Sequence, residues 1–413
     1  MLTPIIEGIC RNEGARVLAG LIRRFGDFDL AEDALQDAFT RALERWPAQG
    51  LPATPAAWLT TVAQRRALDL IRRRAAGPLY SDDPPDLAAE APEEAEPHAA
   101  DISGVDDDRL RLVFTCCHPA LAREAQMALA LRTLCGLSTR EIARAFLEAE
   151  ATTAQRLVRA KKKIRDAGIP YEVPARELLP QRLQTVLGVV YLVFNEGYAA
   201  TDTPGLMRPD LCVEATRLGR LLVELMPREP EVLGLYALML LHDARRAARM
   251  REDGMLVPLE EQDRGLWNAS AIAQGLQVLD TALALRQRGP YQLQAAIAAL
   301  HARAPRPQDT DWKQIAALYG GLLREQPGAV VELNAAVALA MAEGAERGLA
   351  WMAQLQERAE LNGYHLLHAA RADLLRRLGR LPEACDAYRI ALSLVRNDAE
   401  RLYLERRLGE CGH

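Results

Sequence analysis

Basic side chains are concentrated in two short stretches of this 413-residue chain, although its formal net charge is −5. Such dense groups of cations are the kind that neutralise the phosphates of a nucleic acid. The first stretch contains Arg65, Arg66, Arg72, Arg73 and Arg74. The second contains Arg156, Arg159, Lys161, Lys162, Lys163 and Arg165. Two separate nucleic-acid contacts are therefore predicted in a protein that is acidic overall.

The second basic stretch follows a segment with the pattern of a helix-turn-helix. Ser138 and Glu141 predict a capping box, in which the Ser138 hydroxyl accepts from the Glu141 amide while the Glu141 carboxylate reaches back. The small Ala143 lets a second helix cross closely, as this motif requires. We predict that second helix from about Thr152 to Arg165, and its apolar residues are Leu157, Val158, Ala160 and Ile164.

This second helix would present a polar face to DNA. In a major groove Arg and Gln side chains can address base edges, and Lys can neutralise phosphates. The residues expected on that face are Thr152, Thr153, Gln155, Arg156, Arg159, Lys162 and Lys163. The alternative is a basic helix face that is only solvated.

An acidic helix face is predicted between residues 29 and 39. At helical spacing its apolar residues form an inner arc of Ala34, Leu35, Ala38 and Phe39. The residues left mostly outside are Glu32, Asp33, Gln36 and Asp37. This face suits a basic protein partner, although an isolated charged face is more often only solvated.

The elements that would position these residues are all helical. Residues 1–74 form a first domain, with turns at Gly26-Asp27 and across the stretch Trp46 to Pro52. Residues 75–108 contain no Lys or Arg and predict a flexible acidic linker. A second domain covers 109–174, and a helical extension covers 175–413. The expected fold class is therefore all-α.

Near the C-terminus, small and aromatic residues fall where a tetratricopeptide-like helical hairpin needs them. They are Ala372, Gly379, Ala384, Tyr388 and Ala391. A weaker candidate for an equivalent turn is Gly344. Ordinary helical packing with fortuitous alanine spacing is the alternative.

Enzymatic chemistry is not expected. No phosphate-binding glycine loop, nucleophile elbow or metalloprotease motif is present, and we predict no cofactor and no metal. The run Cys116-Cys117-His118 is poorly spaced for a zinc site, and the pairs His242-Asp243 and Asn195-Glu196 are expected to be hydrogen-bonded core groups. The seven scattered cysteines favour free thiols in a reducing compartment. No secretion signal or apolar span is present, so a cytoplasmic protein without a membrane partner is predicted.

The helix-turn-helix segment 137–164 resembles the module of bacterial sigma factors that binds the minus-thirty-five promoter element. The matching residues include Leu137-Ser138, Glu141-Ile142-Ala143, Arg156-Leu157 and Arg159-Ala160. The sequence departs from the family at the turn, where residues 147–150 replace the usual glycine-containing turn. The departure concerns the geometry of the turn and the promoter sequence that is read.

The acidic helix resembles the sigma helix that binds the clamp coiled coil of the largest subunit of RNA polymerase. It precedes, at the family's spacing, Trp46-Pro47, the segment 55–59 and the segment 67–73. The resemblance implies that this first domain melts the minus-ten element with Trp58, Arg65, Arg66, Arg72 and Arg73. Gln64-Arg65 stands where many relatives have Arg-Asn, which leaves the preferred base open. A core role for Trp58 is the favoured alternative.

Taken whole, the chain resembles extracytoplasmic-function sigma factors with a long, tetratricopeptide-like C-terminal domain. The segments that resemble signatures of this subgroup are 114–121, 191–198, 262–267 and 291–297. The resemblance implies that polymerase core and promoter DNA are partners, and that the extension regulates activity, with a protein or small molecule as its own partner. The alternative is a conventional helix-turn-helix regulator with a tetratricopeptide-like sensor domain, which binds duplex DNA without polymerase.

Overall fold

A computed structural model describes residues 3–76, 102–146, 148–198, 209–251, 253–358, 361 and 363–411. Across these residues the regular elements are helices, apart from one isolated β-bridge between Met250 and Leu256. The all-α prediction is confirmed. The chain forms two compact units, Met1–Val189 and Val190–His413.

Eight helices begin within the described residues of the first unit. They are α1 (Thr3–Phe25), α2 (Phe28–Gln49), α3 (Pro55–Ala76), α4 (Ile102–Cys116), α5 (Arg123–Thr133), α6 (Thr139–Ala145), α7 (Glu150–Asp166) and α8 (Leu179–Tyr198). The predicted turn at Gly26-Asp27 is present, because Gly26 has a φ of 68° and the Asp27 side chain caps α2 by accepting from the Leu30 amide. Helix α8 starts in this unit, and Arg182 Nη2 donates to the Phe114 carbonyl at 2.7 Å.

Two predicted boundaries are wrong. Helix α2 continues through Pro47 to Gln49, so the expected turn from Trp46 to Pro52 shortens to the residues after Gln49. A proline near a helix end removes only one backbone donor, and the burial of Trp46 favours continuing the helix. The predicted acidic linker also ends too late, because residues 102–108 belong to α4 and Asp108 is buried. The linker residues 77–101 lie outside the described residues.

In the second unit, the placed residues form ten further helices. They are α9 (Pro209–Leu225), α10 (Pro230–Asp243), α11 (Ala269–Ala284), α12 (Pro290–Arg303), α13 (Trp312–Glu325), α14 (Ala329–Glu343), α15 (Ala345–Gln356), α16 (His365–Arg377), α17 (Leu381–Leu394) and α18 (Asp398–Cys411). Short 3₁₀ turns occur at Arg246–Ala248, Arg264–Leu266 and Pro307–Asp309. Most neighbours in sequence also pack together, as expected for stacked helical hairpins.

Helix α10 is the central helix of the second unit. It is apolar and buried on nearly every side, and it packs against α9, α11 and α12. Its crossing with α12 is close, because a Cβ atom at Gly234 would lie 2.7 Å from the Gln292 backbone nitrogen. Glu231 accepts from the amides of Tyr291 and Gln292 at 2.9 and 3.1 Å, which satisfies two donors that have no partner within α12.

The predicted hairpin near the C-terminus is formed by α16 and α17. Ala372, Ala384, Tyr388 and Ala391 are all buried in one cluster between these helices and α18. Gly379 has a φ of 73°, a left-handed conformation that favours glycine at this turn. The helical hairpin is therefore confirmed, and its assignment as a tetratricopeptide repeat stays a prediction.

Within the described ranges, no helix is both long and apolar enough to cross a membrane.

Candidate nucleic-acid interface

The helix-turn-helix begins with the predicted capping box. The Glu141 amide donates to the Ser138 hydroxyl at 3.2 Å, and the Ser138 amide donates to the Glu141 carboxylate at 2.7 Å. Ile142 and Ala143 are buried where α6 packs against α7. These contacts fix the start of α6 and therefore the position of α7.

Helix α7 carries a continuous polar stripe on its outer side, which we call the α7 stripe. Its exposed residues are Thr152, Gln155, Arg159, Lys162 and Lys163. At about 3.6 residues per turn these positions fall on one side of the helix, opposite Leu157 and Lys161. An open groove of about 370 Å³ runs between part of this stripe and residues 120–125. The stripe combines, on an accessible surface, side-chain types that can address base edges with types that can neutralise phosphates.

Two residues predicted on the same face behave differently. Thr153 is completely buried, and its hydroxyl donates to the Glu148 carboxylate, so the prediction that Thr153 faces DNA is wrong. The reason is the turn before α7, which places a carboxylate against the first turn of the helix. Arg156 also donates to the Glu148 carboxylate, with Nη2 2.7 Å from Oε2. The paired Arg156 side chain lines the groove. Val158, expected among the apolar residues, is 61% exposed.

The acidic face of α2 is only partly free. Asp33 and Gln36 are exposed, as predicted, above an inner side where Ala34, Leu35 and Ala38 are buried. Asp37 forms an ion pair with Arg66 on α3. Because Asp37 was expected to bind polymerase and Arg66 to bind DNA, this pair joins the two predicted surfaces.

Glu32, the fourth residue of that face, points to the second basic helix. Lys161 Nζ on α7 lies 3.2 Å from Glu32 Oε2 and 2.6 Å from Asp29 Oδ1. Burial disfavours the ammonium charge, but these two carboxylates outweigh it and raise the pKa of Lys161. The ion pair therefore holds α2 and α7 together with Lys161 in its charged form.

Further contacts join the two predicted domains of the first unit. The Tyr171 hydroxyl lies 3.0 Å from the carbonyl oxygens of both Ala19 and Asp108, and it can donate to one of them at a time. Burial raises the pKa of this phenol, so it stays protonated. Arg23 Nε lies 3.0 Å from the buried Asp108 carboxylate. The two domains are thus packed on each other in this structure.

Helix α3 supplies the other basic surface. Arg65, Arg72 and Arg73 are exposed. Trp58 is half-buried, and its ring meets that of the buried Trp46 at a centroid distance of 5.2 Å and an angle of 64°. Trp58 therefore packs on the domain core with part of its surface still accessible.

The two cysteines of the Cys116-Cys117-His118 run are buried core residues. Both thiols are buried, Cys116 Sγ lies 3.0 Å from Thr133 Oγ1, and burial raises the pKa of Cys116 to about 12. His118 Nδ1 accepts from the Ala120 amide at 3.1 Å. Among the placed residues, no group of three or more His, Cys, Asp or Glu side chains could hold a metal ion.

Sequence reasoning missed one group of residues in the second unit. Arg245, Arg249 and Arg264 converge around the rings of Tyr198 and Trp267. The available signal was that Tyr198, Arg264 and Trp267 lie within segments that resembled subgroup signatures. Arg245 and Arg249 lie outside these segments, so the motifs alone did not reveal that the three arginines meet.

Three models of known protein families match successive parts of the chain. A family model of sigma-70 region 2 matches residues 11–77, and a model of sigma-70, region 4 matches residues 111–164. A family of unknown function (DUF6596) matches residues 182–283. An uncharacterized protein of Rhizobium meliloti (strain 1021) is 46% identical over 396 residues, covering 95% of this chain and 92% of the relative. No solved structure matches.

Proposed function

Because the chain belongs to the sigma-70 family and carries a helical C-terminal extension, we propose that it binds RNA polymerase core and directs it to specific promoters. As in the extracytoplasmic-function sigma factors that it resembles, the core supplies the catalysis. This chain supplies promoter choice and melting, and it acts in the cytoplasm where polymerase and chromosome meet.

The observation that carries this proposal is the α7 stripe, exposed on a capped helix-turn-helix inside the region 4 match. We assign minus-thirty-five recognition to Thr152, Gln155, Arg156, Arg159, Lys162 and Lys163. Arg156 must exchange its Glu148 partner for a base or a phosphate on binding. Its replacement by alanine is therefore expected to relax sequence preference at a cost of about 1 to 3 kcal/mol.

The region 2 match contains the other two surfaces. We assign core docking to Glu32, Asp33, Gln36 and Asp37, of which Asp33 and Gln36 are free to meet a basic partner. Minus-ten recognition is assigned to Trp58, Arg65, Arg66, Arg72 and Arg73. Charge reversal by Asp33→Arg should abolish co-purification with polymerase core. The domain should stay folded, because Asp33 is exposed on α2.

A conventional helix-turn-helix regulator is the rival function. Such a protein binds duplex promoter DNA alone, whereas a sigma factor needs polymerase core for specific binding. Run-off transcription with purified core separates the two: we expect promoter-specific transcripts that depend on this chain and that Asp33→Arg removes. Specific duplex binding without core, together with no transcript, would contradict the proposal.

The helical extension is proposed to regulate the two promoter-binding domains, through tetratricopeptide-like hairpins such as α16–α17. Its covalent attachment keeps it at high local concentration beside them, so weak contacts can be populated. A chain ending after Tyr198 keeps α8 whole and should change the run-off rate: a gain indicates inhibition and a loss indicates support. Circular dichroism must show that the shortened chain is folded. An unchanged rate contradicts regulation.

A further inference from the structure

Five cationic or potentially cationic side chains meet in the second unit, and we call them the basic cluster. They are His242, Arg245, Arg249, Arg264 and His301. Arg245 is central, because its Nη2 atom lies 2.8 Å from Tyr198 Oη and 3.0 Å from His242 Nδ1. Its Cζ atom lies 5.9 Å from the centroid of the Trp267 ring.

The other two arginines approach the same aromatic rings. Arg249 Cζ lies 3.5 Å from the Tyr198 ring centroid, and Arg264 Cζ lies 4.4 Å from that of Trp267. Arg264 Nη1 also donates to the backbone carbonyls of His301 and Ala304, at 2.6 and 2.8 Å. Rings and carbonyls thus fix the guanidinium groups, but neither supplies a negative charge.

Within the described ranges, the cluster has no paired carboxylate. Among the residues that the structure places, no Asp or Glu oxygen lies within 4.0 Å of a side-chain nitrogen of Arg245, Arg249 or Arg264. The acidic groups nearby have other partners: Asp243 pairs with Arg246, Asp309 with Arg306, and Glu400 with His365. Most other arginines of this unit follow the opposite pattern and are paired with acids, as Arg217 is with Glu214.

This arrangement is costly for the protein by itself. Arg249 is only 8% exposed, and burial followed by the charge of Arg245 lowers the pKa of both Arg249 and Arg264. Burial and the neighbouring arginines also lower the pKa of His242 well below its ordinary value. A buried group of like charges is stabilised when an anion neutralises it.

The cluster is also accessible and has unused donors. Arg245, Arg264, His242 and His301 are half-buried and keep part of their surface exposed, whereas Arg249 is buried. Within the described part of the chain, Arg264 Nε and the Nε1 atom of Trp267 are buried without a hydrogen-bond partner. A ligand with several acceptor oxygens would pair with the exposed guanidinium donors and neutralise the arginine charges.

We propose that the basic cluster binds the phosphate group of a small phosphorylated ligand. Three guanidinium groups can form paired hydrogen bonds with the oxygens of a dianionic phosphate, and they neutralise its charge more fully than that of a single carboxylate. The site lies wholly in the second unit and within or beside the DUF6596 match. It goes beyond the proposed sigma function and does not depend on polymerase or DNA binding.

The test uses the full chain and inorganic phosphate as the probe. Isothermal titration at constant ionic strength, with chloride as the replaced anion, should show saturable binding with one phosphate per chain. Arg245→Gln and Arg264→Gln, which change half-buried residues, should each weaken this binding at least tenfold. Citrate and sulfate titrations distinguish a phosphate site from a site for any polyvalent anion.

Arg228→Gln is the matched control, because Arg228 is exposed in the same unit and its loss removes the same charge. This variant should bind phosphate like the wild type. Equal weakening by Arg228→Gln, tighter binding of citrate than of phosphate, or no saturable binding to the folded wild-type chain would each overturn the proposal. Run-off transcription tests the sigma function separately, so the two proposals can fail independently.

Discussion

Lys161 Nζ on α7 lies 3.2 Å from Glu32 Oε2 on α2, although 129 residues separate them in the chain. Lys161 is on the side of α7 opposite the α7 stripe, and Glu32 is on the face proposed to dock polymerase. In this packing the α7 stripe, proposed to bind DNA, stays open, while one residue proposed to dock polymerase is occupied. We therefore expect the free chain to restrict its contact with polymerase more than its contact with DNA.

Removing this ion pair should favour polymerase binding. Lys161→Met keeps the length of the side chain but frees Glu32 and Asp29, and we expect affinity for core to rise about fivefold, equivalent to about 1 kcal/mol. The measurement is titration of labelled core without DNA. Lys162→Met, an exposed neighbour, is the control and should leave this affinity unchanged. An unaltered affinity in Lys161→Met would mean that the contact does not restrict docking.

Adjacent lysines should differ in their effect on DNA binding. Lys162→Ala is expected to weaken binding to all promoter sequences alike and to lower the salt-dependence slope by about one unit, because an exposed lysine is expected to neutralise one phosphate. Lys161→Ala should leave that slope unchanged, since its ammonium faces α2. Binding of the free chain to duplex DNA at several salt concentrations measures both, because the Lys161–Glu32 pair is present in the free chain. Equal slopes for the two variants would contradict the orientation of α7.

The burial of Thr153 has its own consequence. Thr153→Val keeps the shape but removes the hydroxyl that donates to Glu148, and should lower the free energy of unfolding by about 1 kcal/mol. Promoter preference should not change, because the side chain does not reach DNA. Urea unfolding and promoter binding are the two measurements. If Thr153→Val changed the base preference and left the free energy of unfolding unchanged, Thr153 would contact DNA and this prediction would be wrong.

His301 makes the stability of the second unit depend on pH. Burial, then Arg245 and Arg264, lower its pKa from 6.5 to about 4. The unfolded chain therefore takes up a proton first, and stability is lost as pH falls from about 6.5 towards 4. When the pH falls from roughly 7.5 to 5, the lowered pKa of His301 should reduce the free energy of unfolding by about 2 kcal/mol.

Urea unfolding of wild type and His301→Gln in chloride buffer checks this expectation. The comparison is the change with pH within each protein, so any constant destabilisation by the substitution cancels. The variant should lose less stability on acidification than the wild type. If the free energy of unfolding changed with pH in the same way in both proteins, the pKa of His301 would not be lowered in the folded state.

Local patterns in the sequence determined much of this protein. The capping box at Ser138 and Glu141, the inner arc of α2 and the α16–α17 hairpin all depend on residues a few positions apart, and all three were predicted. Helical periodicity and capping are properties of short segments, so one sequence suffices to identify them. The order of region 2, region 4 and extension was likewise evident from motifs at characteristic spacing.

Only the tertiary structure decided which of these side chains are already engaged. Glu148 buries Thr153, Lys161 holds Glu32, and Asp37 pairs with Arg66, because helices distant in sequence pack together. The same is true of Arg245, Arg249 and Arg264, which come from separate turns and meet around two aromatic rings. Pairing of charges depends on distances across the fold, and a helical pattern specifies a face without specifying what that face meets.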